Sequence, residues 1–265
     1  MVLALEHIRR MRGGAQSHLM RCDDGGYYIV KFQNNPQHVR VLANEVLGTR
    51  VAGCLGLRVP QTEVVEVRRE LIELTADLVI QLGTGRTPCR AGRQFGSRYP
   101  GDPAQTPVHD FLPDEQLCSV RNLSDFLGVF VFDKWTCNTN GRQAIFFLEA
   151  GRSRYQAMII DQGFCFNAGE WNFPDAPLRG LYTRHTVYRH VTGMDSFEPW
   201  LSRVEERLSR SQLGEIAAGI PPEWYSDEYG KLDELIRRLD QRRHVVRELI
   251  LSARDSGRQP FPNWK

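Results

Sequence analysis

The stretch FDKWTCNTNGRQAIFFLEAGRSRYQAMIIDQGFCFNAGEW, residues 132–171, decides how the chain folds. Its first residues continue an apolar run (Leu123, Phe126, Leu127, Phe130, Val131, Trp135) whose spacing predicts a helix, with Asn122 and Ser124 as candidate caps. A polar loop follows, Asn138-Thr139-Asn140-Gly141-Arg142-Gln143. Two strand-like runs come next, AIFFL and YQAMIID, joined through Glu149-Ala150-Gly151 and ending on Asp161-Gln162-Gly163. An aspartate at a strand end beside glycine suits metal holding, although such residues also make plain turns. Asp133 and Asn138 have a spacing that suggests a base and a metal ligand. Helical phase keeps Asp133 inside the helix, where its carboxylate is expected to accept structural hydrogen bonds that stabilise the loop.

Upstream, the chain reads as strands. His18–Cys22, a turn at Asp23-Asp24-Gly25-Gly26 and Tyr27–Phe32 form a hairpin pattern. Lys31 ends the second of these runs between two apolar neighbours; alone it reads as a solvent-facing lysine. Residues 39–55 have helical spacing, ended by Gly56 and Pro60, and carry Glu45, a natural ion-pair partner for Lys31. Together the two point to a fixed ammonium that contacts phosphates. Before the hairpin, Gly13 and Gly14 allow backbone N–H groups near a phosphate, and Ser17 adds a hydroxyl. This matches neither the Walker A pattern nor the glycine signature of ordinary protein kinases. QTEVVEVRREL (61–71) reads as a strand, and AGRQFGSRYPG, within 83–110, as a strand running into a connector. Downstream, helices are expected around 196–210, 211–218 and 227–254.

Composition narrows the function classes. With 41% hydrophobic and 10% aromatic residues, the chain of 265 residues can bury a large core. No apolar run approaches the ~18 residues of a membrane span, and the apolar start of MVLALEHIRRMRGG is too short for a secretory signal. A net charge of +2 argues against nucleic acid as the main partner. The six scattered cysteines form no C-x-x-C pair, which argues against structural zinc and disulfides and fits a reducing, cytoplasmic setting. A β-rich first part and a helical second part make an α+β chain.

The ordered set of motifs resembles the HipA-like kinases, within the protein-kinase and phosphoinositide-kinase fold. The motifs are the Gly13-Gly14 loop, YYIVKF, ANEVLG, GCLGLRVP, FGSRYPG, NTNGRQ, IDQGFCFNAGEW and PPEWY. The resemblance implies a two-lobed fold, with a β-rich N-lobe over 1–98 and a helical C-lobe over 99–265. It also implies ATP and Mg²⁺ as cofactors and a Ser or Thr of a protein as acceptor. The roles it carries over are Lys31 on phosphates, Glu45 pairing it, Phe95, Gly96, Ser97, Arg98 and Tyr99 as the hinge against adenine, and Asp161 on magnesium. The family has Asn-x-Asp-Arg and a later Asn in its catalytic loop; here Asn140 takes the aspartate's place and Ile145 that of the later Asn. Gln143 and Asn138 are the candidates for the missing oxygen ligand. An asparagine cannot accept the substrate proton, and loss of a general base commonly costs about 10²–10⁴-fold. The expectation is a phosphotransferase weakened or inactivated at Asn140; the alternatives are a nucleotide-gated binding module and a nucleotidyltransferase on the same fold. Around the cleft, the segment Arg86–Arg98 and the aromatic loop Phe164–Phe173 are expected to flank the acceptor, while Arg179, Arg184 and Arg189 are candidates for an acidic group.

Overall fold

Alternation along the first strands builds the N-terminal lobe. In the computed structural model, which describes residues 1–265, five strands close into a barrel in the order β1-β2-β3-β7-β4. They are β1 (Val2–Arg10), β2 (His18–Cys22), β3 (Tyr27–Lys31), β4 (Thr62–Val67) and β7 (Gly92–Arg98). Met20, Cys22, Tyr28, Val30, Phe32, Val65 and Val67 turn inward and form its small core. The same period of two sends Ile29 and Lys31 to the opposite face, where the cleft lies. The expected hairpin is present, with Met20 opposite Tyr28 and Leu19 opposite Ile29.

Helix α1 (Arg40–Cys54) connects β3 to β4, and a hairpin of β5 (Val79–Leu82) and β6 (Gly85–Pro88) projects before β7. The second lobe begins with short β8 (Val108–His109) and α3 (Asp114–Cys118), followed by α4 (Asp125–Thr136). The predicted central strands are β9 (Gln143–Phe147) and β10 (Gln156–Ile160), antiparallel with Ile160 opposite Gln143. Four helices complete the lobe: α5 (Trp200–Arg207), α6 (Arg210–Ala217), α7 (Tyr229–Arg242) and α8 (Val246–Arg254). The main core of 48 buried residues centres on α4 and extends through α1.

Three readings change, and one strand had no reading. The strand expected over 61–71 ends at Val67, and Arg69–Leu74 form helix α2, whose only buried residue is Ile72. The helix expected over 227–254 breaks between Arg242 and Val246, so α7 and α8 bury separate faces through Leu235, Ile236, Leu239 and Val246, Ile250, Ala253. Asn122 does not cap α4 from the N-cap position, and Ser124, which holds that position, makes no capping bond. The Asn122 amide instead donates to the Ala157 carbonyl and accepts from the Ala157 N–H, fastening α4's entrance to β10. Strand β1 has no apolar alternation to betray it. It is held by antiparallel pairing to β2 and a short parallel contact of Val2 and Leu3 with β4.

A buried histidine links barrel stability to pH. His18 is fully buried, with its Nδ1 3.0 Å from His7 Nε2 and its ring edge-on to Phe32. Burial, reinforced by His7 and Arg10, lowers its pKa to about 4. The unfolded chain therefore takes up a proton that the folded chain refuses, so stability falls as pH drops from about 6.5 towards 4. Urea unfolding at stepped pH should show this decline, and His18→Leu should make it shallower; an unchanged slope would exclude His18 as its source.

Candidate active site

A cleft enclosing about 1060 Å³ of atom-free space, its open mouth included, lies between the barrel and the β9–β10 hairpin. Its roof is the loop Met11–Ser17, in which Gly13, Gly14 and Ser17 all line the cavity. Gly13 has φ +122°, a backbone conformation that disfavours any side chain, although a Cβ would have open space. The loop is pinned at its base. The Met11 N–H donates to the Ser17 carbonyl at 2.8 Å, and the Gln16 amide pairs with both backbone groups of Gln81 at 2.7 and 2.8 Å.

Lys31, Glu45 and Asp161 meet inside this cleft. The Lys31 ammonium donates to Glu45 Oε1 and, at 2.7 Å, to Asp161 Oδ1. Burial works against the Lys31 charge, but the two carboxylates outweigh it and hold the ammonium protonated far above neutral pH. Burial likewise pushes the Asp161 carboxyl up, and Lys31 more than reverses this, leaving it below the usual carboxylate range. Glu45 is pushed upward, chiefly by burial, against the pull of Lys31. One cation between two carboxylates leaves the group with a net negative charge, with Asp161 on the cavity side.

The segment after β10 is held by one face of α1. Glu45 accepts the N–H groups of Gln162 and Gly163, each at 3.0 Å. The Asn44 amide donates to the carbonyls of Gly163, Cys165 and Ala168 and accepts from the Trp171 indole. Arg40 donates to the Gly169 carbonyl. Close approach requires glycine on both sides: a Cβ on Gly48 would come within 2.8 Å of the Gln162 side chain, and one on Gly163 within 2.6 Å of Val41. The held segment is strained, since Asp161, Phe166, Asn167, Ala168 and Trp171 all have positive φ. Sequence reading quoted Asn44 within ANEVLG but gave it no role; its signal is an amide amid the apolar residues of the α1 pattern, one position before Glu45.

The other expected site residues divide. Asn140 and Gln143 line the cleft with Asp161, and the Gln143 amide donates to Asp161 Oδ2. Ile145 lies on the cleft floor with Ile160. Asn138 does not reach the cavity. It is 1% exposed, its amide nitrogen donates to Asp133 and its oxygen accepts the Asn140 N–H, so neither polar end is free for a metal. Phe95, Ser97, Arg98 and Tyr99 line the cleft, whereas Gly96 turns into the barrel, where a Cβ would strike Val65. Phe166 and Trp171 of the aromatic loop are core residues. Arg93 is paired with Glu223 and Arg184 with Asp114, while Arg179 contacts Cys137 and Arg189 contacts His190. Arg12, Gln37 and Thr49 also line the cleft and were not singled out from the sequence.

The sequence model of one protein family, HipA-like kinase, matches residues 5–250. The chain belongs to the HipA-like kinase family. No curated protein sequence matches it. Among solved structures, the proinflammatory kinase CtkA of Helicobacter pylori superposes with TM-score 0.61 at 15% identity, covering 94% of this chain and 96% of that one. A Golgi casein kinase gives TM-score 0.55 at 13% identity over 96% of this chain and 74% of its own. The same kinase with Mn/ADP bound gives 0.53 at 13%, over 97% and 73%. These likenesses show the kinase-like α+β fold.

In this HipA-like kinase, a second buried ion pair backs the cleft. Asp133 and Arg142 are both fully buried at the side chain and joined by two hydrogen bonds. Arg142 also donates to the Ile160 carbonyl and Gln162 Oε1, at 2.9 and 2.8 Å. The expected structural role of Asp133 is the one its contacts describe. Removing one partner strands a buried charge and costs about 3–5 kcal/mol, whereas an apolar pair of similar volume is tolerated. Asp133→Ala should therefore lower the urea midpoint sharply, and Asp133→Leu with Arg142→Met should recover much of the loss; equal losses in both variants would refute the stranded-charge account.

Proposed function

We propose that this HipA-like kinase is an ATP-dependent phosphotransferase acting on a Ser or Thr hydroxyl of a protein. The observation that carries the proposal is the Lys31 ammonium, fixed between Glu45 and Asp161 beneath a glycine loop. Such an arrangement clamps phosphates by charge and orientation, which phosphoryl transfer chiefly needs. Lys31 would contact the α- and β-phosphates, with Glu45 holding it in line. The backbone of Gly13 and Gly14, with Ser17 and Arg12, would close over the phosphates from the roof. The ADP and Mn in the Golgi casein kinase structure support a nucleotide and a divalent cation in this fold.

The residues fit Mg²⁺ shared with a nucleotide. No cluster of three or more His, Cys, Asp or Glu side chains could cage an ion. Mg²⁺ commonly takes one or two carboxylates and completes its shell with phosphate oxygens and water. Asp161 would supply the carboxylate, and the amide oxygens of Gln143 and Asn140, residues that also line the cavity, are the further candidates. The metal would neutralise charge on the transferring phosphate; Asp161 would hold it, and the net negative charge that remains after Lys31 is paired with Glu45 and Asp161 would favour a cation there.

A second reading has its own observation. Lys31, Glu45 and Asp161 are the charged groups at the inner end of the cleft, both carboxylates are committed to Lys31, and Asn140 offers no base. A nucleotide-gated binding module therefore competes with a slow enzyme, and nucleotidyl transfer is the third possibility. Calorimetry with Mg-ATP should show binding to the wild-type chain, lost in Lys31→Ala and Asp161→Ala; no binding by the wild type would sink the nucleotide reading. Labelled γ-phosphate should pass slowly to protein, and Asn140→Asp should raise that rate by about 10²–10⁴-fold. A negligible rise with binding intact would favour the binding module, and label transferred from the α-phosphate would favour nucleotidyl transfer.

A further inference from the structure

The hinge side of the cleft lacks what a purine ring nitrogen normally meets, a free main-chain N–H. Strand β7 does not become an edge where it reaches the cleft. It stays paired with β3 on one side and β4 on the other, with Ser97 opposite both Ile29 and Thr62. Beyond this ladder the amides are also committed: the Arg98 N–H donates to the Gln61 carbonyl and the Tyr99 N–H to the Tyr27 carbonyl, each at 2.8 Å. Pro100 has no N–H, and the Gly101 N–H donates to the Tyr99 carbonyl at 2.8 Å. Alternation assigns the Ser97 N–H to the same β3 side as that of Tyr99. From Ser97 to Gly101 no backbone donor is left for a base.

One small polar side chain takes that place. Phe95, Ser97 and Tyr99 alternate towards the cleft, and Ser97 is partly open to it, with its hydroxyl engaged by no other group of the chain. The Tyr99 hydroxyl is directed at the Thr106 carbonyl, 3.5 Å away, and the Arg98 guanidinium lies over the Tyr28 ring near Asp24. The other hydroxyls in the wall, Ser17 and Thr49, belong to the roof loop and to α1, one turn beyond Glu45. We infer that the Ser97 hydroxyl, rather than a main-chain amide, donates to the ring nitrogen N1 of the adenine base. This rests on the proposed nucleotide reading and adds a specificity-determining residue to it. Base selection then depends on a hydroxyl that can rotate to donate or accept, instead of an amide that can only donate.

The test is a binding cycle with two probes, Mg-ATP and Mg-1-deaza-ATP, whose ring carries C–H in place of N1. Against wild type, Ser97→Ala should weaken Mg-ATP by about 3- to 10-fold, the size of one net neutral hydrogen bond. It should leave Mg-1-deaza-ATP unchanged, because that ligand has no acceptor to lose. Ser97→Thr, which keeps the hydroxyl on a strand-compatible side chain, should bind Mg-ATP like wild type. If Ser97→Ala binds Mg-ATP as well as wild type does, or weakens both ligands equally, the inference fails while the nucleotide reading stands. If the wild type binds neither ligand, both fail.

Discussion

The Glu45 carboxylate joins three parts of the chain that are distant in sequence. It ties β3 through Lys31, belongs to α1, and receives the backbone N–H groups of Gln162 and Gly163. It is 2% exposed, so all of this happens with little water to share the load. A carboxylate buried to this degree is tolerable only when its lone pairs are filled and a countercharge is close. Here two amides and an ammonium do both. The direction in which Asp161 faces therefore follows from satisfying Glu45, because the residues fixed by Glu45 are its immediate successors.

Helix α1 gives that carboxylate little freedom. Twelve of its fifteen residues are buried, from Arg40 to Ala52. Its apolar residues belong to the core that runs into the helical lobe, whereas the barrel has a separate and smaller core. Arg40 is paired with Glu228, and Arg203 donates to the Leu55 carbonyl just past the helix end. Swinging α1 outward would uncover this apolar face and leave the Asn44 partners unpaired together. The Lys31–Glu45 pair is thus a product of folding, and the strain at Asp161 is held by the same contacts.

Local chemistry made the central elements legible. Lys31 read alone faces solvent and is legible as a cleft residue only through its spacing from Glu45, whereas the 39–55 spacing makes α1 and the Asp161-Gln162-Gly163 ending terminates β10. Helical phase was also sufficient for Asp133, since a carboxylate that stays in α4 has to find a buried partner, which is Arg142. What escaped was set by tertiary pairing. Strand β1 carries charged residues on an exposed face, and its barrel closure is invisible in a local window. Asn138 looks like a loop ligand in sequence, but the turn folds it inward, where it orders the backbone at Asn140. The hinge was placed by motif order over Phe95–Tyr99, whereas the two-sided pairing of β7 through Arg98 depends on β4 arriving from another part of the chain.

The site's interactions divide by depth, and the division bears on Asn140. The groups proposed for the phosphate end are held by buried bonds: Lys31 by two carboxylates, Asp161 by Lys31, and the following backbone by the Glu45 carboxylate and the neutral Asn44 amide. The group proposed for the acceptor end is not. Asn140 is exposed, and its side-chain oxygen accepts only from the N–H of its own neighbour Gly141. Changing a buried member of the first set strands a charge or several amides and threatens the fold. In the phosphotransferase proposed above, changing the exposed loop residue would alter proton transfer and one candidate metal contact, and a loose phosphoryl-transfer transition state depends less on proton removal than on charge and alignment. On the proposed reading, stability selects the nucleotide-holding half together with the fold, while the base position is free to vary. An asparagine there is then compatible with an intact nucleotide site, and turnover is the property the substitution leaves exposed.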